Sequence, residues 1–353
     1  MKRIQGPWAT LVAGAGLVLA TTLGAGCVPE LGAGFVEAGD LCPPAVVEWG
    51  CLSGTELELV FSESAVAKTG DFSAGADAVI TAVGMDDRRV SVSLDRAPPP
   101  GARFSLSGRV CDVAGNVTGF VLPFWGHNPN PATLVVNELV TQGSSTHPDA
   151  VEFRVVAGGD PAGLCFCVGT RADWDLRYVF PSLELAAGDY VVLHLRPQGL
   201  AEEVDELADR TASGGLDSSD SGWDLWYREG GGGLPGANGA LCLYGSPIGG
   251  LMDCVLYSER SSDSDTAYDG FGTAALRDRV AAAVADGGWD IAGDRPRPED
   301  CARSEGTTAT RTICRWPSGL DEDCAEDWHI VPTSGISLGR ENSPDSYVPI
   351  SSP

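Results

Sequence analysis

The chain has 353 residues, long enough for two domains with real cores, and 49 Asp and Glu against 23 Lys and Arg set its formal charge at −26. That excess of carboxylates argues against a nucleic-acid partner and against an electrostatic grip on anionic lipid. It also keeps an exposed protein soluble.

Lys2 and Arg3 form a positive n-region, Leu11 to Leu23 an apolar h-region, and Gly24-Ala25-Gly26 precede Cys27. This is the layout of a signal peptide, residues 1–26, cleaved after a small residue. A Cys directly behind the cleavage site resembles the lipobox of bacterial lipoproteins, except that Leu23 sits four residues before the Cys rather than three. The resemblance implies lipidation of Cys27 and an exported protein held at the outer membrane or cell surface, facing outward or into the periplasm. The plainer alternative is secretion, with Cys27 left for a disulfide. Several acyl chains bury far more methylenes than one, so the anchor implied is firm. No second apolar run approaches the roughly 18 residues of a membrane span.

Residues 27–41 are rich in Gly, Ala and acids and read as a tether. From 42 to 125, period-two runs follow one another. Leu57, Leu59 and Phe61 alternate with Glu56 and Glu58, Val90, Val92 and Leu94 with serines, and Phe104 and Leu106 with Ser105 and Ser107. Such runs between Pro and Gly turns predict a small β sandwich. Phe61-Ser62-Glu63, Asp112-Val113-Ala114-Gly115-Asn116 and Pro100-Gly101 ahead of a strand resemble a bacterial Ig-like domain of surface-layer proteins. Asp112 to Asn116 reads as a turn, because Gly and Asn tolerate positive φ. Residues 126–132 form a short linker with Pro and Gly.

The second domain is expected over 133–343. It opens with Leu134-Val135-Val136-Asn137-Glu138, then Val151-Glu152-Phe153. Phe180-Pro181, Leu183, Leu185, Gly188 and Tyr190-Val191-Val192-Leu193 follow. The ordered set N-E, V-E-F and F-P-x-L-x-L-x-x-G-x-Y-V-V-L resembles the lamin-tail domain family. Met252 to Tyr257 resembles its late hairpin, and Asp321 to Gly335 its ending. The resemblance implies an Ig-like β fold and a binding and scaffold role, with no catalytic residues to carry over. Two insertions interrupt it, near 200–238 and 258–300. The second holds the best helical pattern, Thr273 to Asp286, with Leu276, Val280 and Val284 on one face and Gly287-Gly288 as the stop. Residues 344–353 read as a disordered tail. The fold class expected is therefore all-β: two Ig-like sandwiches in tandem, the second with insertions that include one short helix.

Candidate chemistry is sparse. Gly335-Ile336-Ser337-Leu338-Gly339 matches G-x-S-x-G, but it lacks the helix that a nucleophile elbow needs and any downstream His. His127, His147, His194 and His329 show no zinc spacing. Without Cys27, ten cysteines remain as disulfide candidates: Cys42, Cys51, Cys111, Cys165, Cys167, Cys242, Cys254, Cys301, Cys314 and Cys324. Cys165 and Cys167 share one strand face, where two separate disulfides are expected rather than a redox pair. Cys242 and Cys254 flank a turn and are suited to meet in a hairpin, while Cys165 or Cys167 is an alternative partner for either. Three cysteines in the first domain and seven in the second require one inter-domain bridge or two free thiols, and the bridge is the expectation. Calcium is the cofactor considered, at Asp217, Asp220 and Asp224, with similar groups at Asp263, Asp265 and Asp269 and at Asp321, Asp323 and Asp327. Trp223, Trp226 and Tyr227 are candidate ligand-binding aromatics, for stacking on sugar rings or for covering core. The function expected is a non-catalytic envelope lipoprotein acting as a binding or scaffold module, with a protein or glycan ligand. The alternatives are a carbohydrate-binding adhesin, or a hydrolase with its site in 196–300.

Overall fold

Alternating apolar residues build the first sandwich, as their spacing dictates. In the computed structural model, residues 40–348 are described, apart from 76, 231, 265 and 318–320. The signal-like segment, Cys27, nearly all of the tether and Asp265 lie outside the described residues. Strands β1 (Val46–Cys51), β2 (Glu56–Phe61), β3 (Phe72–Ala74), β4 (Ile80–Asp86), β5 (Arg89–Leu94), β6 (Arg103–Cys111) and β7 (Val117–Trp125) come first. They form two antiparallel sheets, ordered β1-β2-β5-β4 and β3-β6-β7. Leu57, Leu59, Phe61, Val90 and Val92 are fully buried and pack with Phe104, Leu106 and Phe124 from the facing sheet. Phe61 and Phe120 meet across the layers at 6.0 Å. Each such side chain contributes roughly 1.5–3 kcal/mol by leaving water. The Asp112 turn closes as expected, with Asp112 Oδ1 accepting from the Asn116 amide at 2.8 Å and Gly115 at φ 94°.

The second sandwich is larger. One sheet has β8 (Thr133–Val140), β9 (Ala150–Ala157), β12 (Tyr190–His194), β13 (Trp223–Trp226), β17 (Ile313–Arg315) and β18 (Trp328–Ile330), in the order β13-β12-β9-β8-β17-β18. The other has β10 (Cys165–Gly169), β11 (Trp174–Val179), β14 (Asn238–Tyr244), β15 (Leu251–Ser258) and β16 (Ala302–Arg303), in the order β11-β10-β14-β15-β16. Phe153 of β9 meets Phe166 and Phe180 edge to face at 5.3 and 5.2 Å, which locks the layers. The fold is all-β, two sandwiches with separate cores in one compact unit from Leu41 onward.

Both insertions are structural parts of this fold. The first supplies β13, which pairs in parallel with β12. The second supplies α1 (Ala274–Ala285), started by the Thr273 hydroxyl accepting from the Leu276 amide at 3.1 Å. Val280 and Ala283 are buried, and the helix covers β14 on the outer face of the five-stranded sheet. Arg279 fastens it to Asp173 and Asp175 at 2.8 and 2.6 Å.

Strand β7 ends at Trp125 and β8 starts at Thr133, and the segment between them is pinned rather than loose. The Asn128 amide donates to the Asp160 and Ala162 carbonyls at 2.8 and 3.0 Å. Gly101, at φ 69°, lies against Gly163 so closely that a Cβ there would sit 2.4 Å from the Gly163 nitrogen. The two halves thus touch backbone to backbone. The expected disorder from 344 onward is corrected as far as 348. The Tyr347 amide donates to the Ile330 carbonyl at 2.6 Å, and Arg311 lies over the Tyr347 ring at 4.4 Å. An aromatic ring covered by a guanidinium holds that end of the chain down.

Candidate functional site

Glu138 of β8 and Glu152 of β9 lie on the face of their sheet opposite Val151 and Phe153, away from the inter-sheet core, and the end of the chain buries that face. Glu138 and Glu152 face each other directly across the β8–β9 ladder, and neither has any exposure. Glu138 accepts from the Ser337 hydroxyl at 2.6 Å, from the Ser337 amide at 3.1 Å and from Thr312 Oγ1 at 2.5 Å. Glu152 accepts from Asn137 Nδ2 at 2.6 Å and from the Gly339 amide at 2.5 Å. Burial pushes both carboxyls above their ordinary range, and the charge of Glu138 pushes Glu152 further. Ser337, 4 % exposed, therefore donates to a carboxylate, and no His is bonded to it among the described residues. The G-x-S-x-G segment is a clasp that two buried acids hold.

Arg315, beside this clasp, is a second buried charge. Its guanidinium bonds Asp253 at 2.9 Å and Asp321 at 2.6 Å, lies 3.5 Å from Asp327, and donates through Nε to the Val136 carbonyl at 2.7 Å. Burial raises Asp253 to about 7, against the pull of Arg315. Of the Asp321/Asp323/Asp327 group read as a cation site, Asp321 and Asp327 thus lie against a cation of the chain's own, while Asp323 converges with Asp321 and Asp253.

The remaining candidates separate. Asp217 bonds His147 at 2.8 Å, and Asp224 bonds His194 at 2.7 Å and the Ser219 amide at 2.9 Å. Asp220 instead faces a hollow of about 820 Å³ beside Trp223. These three carboxylates do not converge, which corrects the calcium expectation for them; Asp269 is turned toward Arg295 at 3.6 Å, and nothing gathers Asp263 with it. Trp226 and Tyr227 are 3 % and 7 % exposed, and Trp226 stacks on His194 at 4.0 Å. Tyr227 packs into the core, the alternative reading for these rings, yet both it and Trp226 line a cleft at the seam, while Trp223 stands apart from it, half-buried with its Nε1 on Asp189 at 3.2 Å.

Among the described residues, no two cysteines lie at disulfide-bonding distance. Cys51 and Cys111 donate to Trp125 and Val66 carbonyls of their own half, at 3.2 and 3.8 Å, which corrects the expected inter-domain bridge. Beneath α1 the register aligns Cys167 with Cys242 and Cys242 with Cys254. The sulfurs of Cys242 and Cys254 are 3.6 Å apart and those of Cys165 and Cys167 3.9 Å. Cys301 and Cys314 are buried, and burial pushes both thiols up. Cys42 is exposed and Cys324 half-buried.

The concave surface at the seam is a cleft of about 590 Å³; the sequence singled out its Trp226 and Tyr227 but not its other lining residues. The first half contributes Arg103 and Trp125. The second contributes Arg177 and Tyr178 from β11 and Asp205 and Glu229 from the first insertion. Arg177 lies over the Trp174 ring at 4.4 Å. Asp205 accepts the Trp226 amide with one oxygen at 2.7 Å, while its other oxygen is 4.0 Å from Arg228. The available signal was Arg177-Tyr178, a charged and an aromatic residue in an edge strand of which only Leu176 is buried.

Arg315→Met strands Asp253 without its counter-ion and is expected to cost about 3–5 kcal/mol in urea unfolding. Adding Asp253→Asn removes the orphaned charge and recovers part of that loss; equal stability of Arg315→Met and wild type contradicts the role assigned to Arg315. A carboxyl raised in the native state holds its proton more tightly there than when unfolded. Its contribution is full below the unfolded value and is lost as pH rises through the native one, for Asp253 between 3.8 and about 7. His329, lowered by burial, acts in the opposite sense. The readout is therefore the difference between wild type and Glu152→Gln: the fall in urea midpoint from about pH 5.5 to about pH 8 is expected to be flatter in the variant. Parallel slopes refute a raised Glu152.

Residues 132–330 match a family model described as a protein second domain, TP_1001_2nd, which covers more than half of the 353 residues. An uncharacterized protein of Treponema pallidum (strain Nichols) is 33 % identical over 165 residues, 45 % of this chain and 40 % of that protein. The match thus spans less than half the length of that relative. Among solved structures, the N-terminal part of the bacterial S-layer protein SbsC is similar over 35 % of this chain and 34 % of its own, at 17 % identity and a TM-score of 0.25. Through residues 132–330, the chain belongs to the TP_1001 second-domain family.

Proposed function

We propose that this chain is an exported, lipid-anchored envelope protein that binds a ligand without catalysis, with the lamin-tail-like sandwich as its rigid scaffold. The n-region, the apolar run and Cys27 support export and anchoring. The N-E, V-E-F and F-P-x-L-x-L motifs support the lamin-tail reading of residues 133–343, and Phe61-Ser62-Glu63 with Asp112 to Asn116 supports the bacterial Ig-like reading of 42–125.

One observation carries the binding role. The side chains able to do acid–base or nucleophilic work (Glu138, Glu152, Ser337, His194 and Asp224) are buried and committed to internal hydrogen bonds. The arginines and acids at the seam face solvent instead. A hydrolase centred on the 196–300 insertions has little support, because Trp226 caps the His194–Asp224 pair.

Export also bears on the thiols. Cys242 and Cys254, directly opposed on β14 and β15, are the pair that an oxidising compartment closes, by exchange with a disulfide oxidant. Peptide mapping of unreduced protein from the envelope is expected to recover a Cys242–Cys254 cross-link; recovery of both as alkylated free thiols refutes it. The functional test uses the full chain. Cys27→Ser is expected to move it from the detergent to the aqueous phase on phase separation. The mature chain, immobilised, is expected to retain an envelope component that the Arg103→Glu, Arg228→Glu variant releases. Unchanged partition ends the lipid anchor, and equal retention by both proteins ends the cleft as the binding surface.

A further inference from the structure

The seam cleft presents donors and acceptors side by side, and that combination restricts what can fill it. Arg103 is exposed and Arg177 half-buried over the Trp174 ring, and among the described residues neither guanidinium has a carboxylate within ion-pair distance; Arg228 is a third guanidinium of the lining. Asp205 keeps one oxygen 4.0 Å from its nearest cation, and Glu229 is exposed at the rim. Between these charges lie the Trp125 and Tyr178 rings, the latter held edge to face by Phe180 at 5.2 Å.

A neutral apolar ligand leaves the Arg103 and Arg177 guanidiniums and the Glu229 carboxylate without partners, and Asp205 with only the Trp226 amide and Arg228 at 4.0 Å, which is costly once water is displaced. An inorganic phosphate or sulfate satisfies the arginines but is repelled by Asp205 and Glu229. A cation has the converse problem. A ligand that fits must carry an anionic group for the guanidinium forks, hydroxyl donors for the acids, and a C–H face for the rings. A sugar bearing a carboxylate meets all three demands, and a cavity of about 590 Å³ is in the size range of small-ligand sites.

We propose that the seam cleft binds a carboxylated saccharide, its carboxylate between Arg103 and Arg177 and its hydroxyls on Asp205 and Glu229. This rests on the binding reading above and gives it a ligand class. The chain's charge of −26 does not forbid the arrangement. Surface charges farther away than about 8 Å are largely screened at physiological ionic strength, so the guanidiniums beside the ligand dominate.

Oligogalacturonate is the probe, titrated calorimetrically into the mature chain carrying Cys27→Ser. Its neutral methyl ester, dextran sulfate and inorganic phosphate are the comparisons. Arg103→Glu tests the site, and Arg88→Glu makes the same charge change at the exposed turn between β4 and β5. Saturable binding is expected for oligogalacturonate. It should weaken about tenfold or more with Arg103→Glu, stay within about twofold with Arg88→Glu, and weaken about tenfold with the ester. Absence of binding overturns the proposal. So does equal loss in both variants, equal binding of dextran sulfate or phosphate, or equal binding of the ester. If the saccharide fails while the charge-reversed cleft still releases the captured envelope component, the ligand class is wrong and the binding reading stands. If both fail, the cleft is not the binding surface.

Discussion

Two carboxyl groups directly opposite each other in a closed β ladder, with no water in reach, set the terms for the second sandwich. Like charges in that register repel, and each alone carries a desolvation penalty of several kcal/mol. Glu138 and Glu152 persist there because amides, hydroxyls and an asparagine side chain converge on them. Those donors come from far along the sequence, at Thr312, Ser337 and Gly339. The cost of burying the pair is therefore offset only when the end of the chain folds back over β8 and β9. Asn342 completes the closure by donating to the Arg315 and Asn137 carbonyls at 2.8 and 3.3 Å. A partly made clasp leaves buried acids unsatisfied, so this network forms as a unit.

Arg315 extends the same logic to the neighbouring strand. It sits in β17, between the clasp and the acids of 321–327, and touches both sheets through Val136 and Asp253. Trp328 lies 4.7 Å from its guanidinium and shields it from water. Buried charge here serves to fix register. A strand slip of one residue turns every inward group outward, and only the observed pairing gives Glu138, Glu152 and Arg315 their partners.

These partnerships explain what the sequence could and could not reveal. Strands such as Glu56–Phe61 were legible because alternation and burial agree: Leu57, Leu59 and Phe61 go in, and Glu56 and Glu58 stay nearer water. The helix at 274–285 was legible from its cap, stripe and glycine stop. At Asn137-Glu138 and Val151-Glu152 alternation does turn the acids to the outer face, but local pattern carries no sign that residues 337–339, nearly two hundred positions away, fold over that face and bury them. Strand β13 was hidden for a related reason: a four-residue strand in a Gly- and Ser-rich stretch gains its stability from parallel pairing with β12, which composition does not encode. The G-x-S-x-G motif misled in the opposite way, because its glycines and serine serve Glu138 and Glu152 rather than a reaction.

The seam shows how a concave surface arises where neither sandwich alone provides one. Gly101 and Gly163 bring the two backbones into contact, and Asn128 fixes the connecting segment, so the cleft walls are set before any ligand arrives. Rigid walls reduce the ordering entropy that a ligand must offset, and that lets a modest number of charged contacts produce measurable affinity. The same rigidity demands that Arg103, from the first half, and Arg177, from the second, keep their separation. A side chain at Gly101 would part the halves and separate the guanidiniums without touching either, so the shape of the cleft depends as much on two residues with no side chain as on the charged groups that line it.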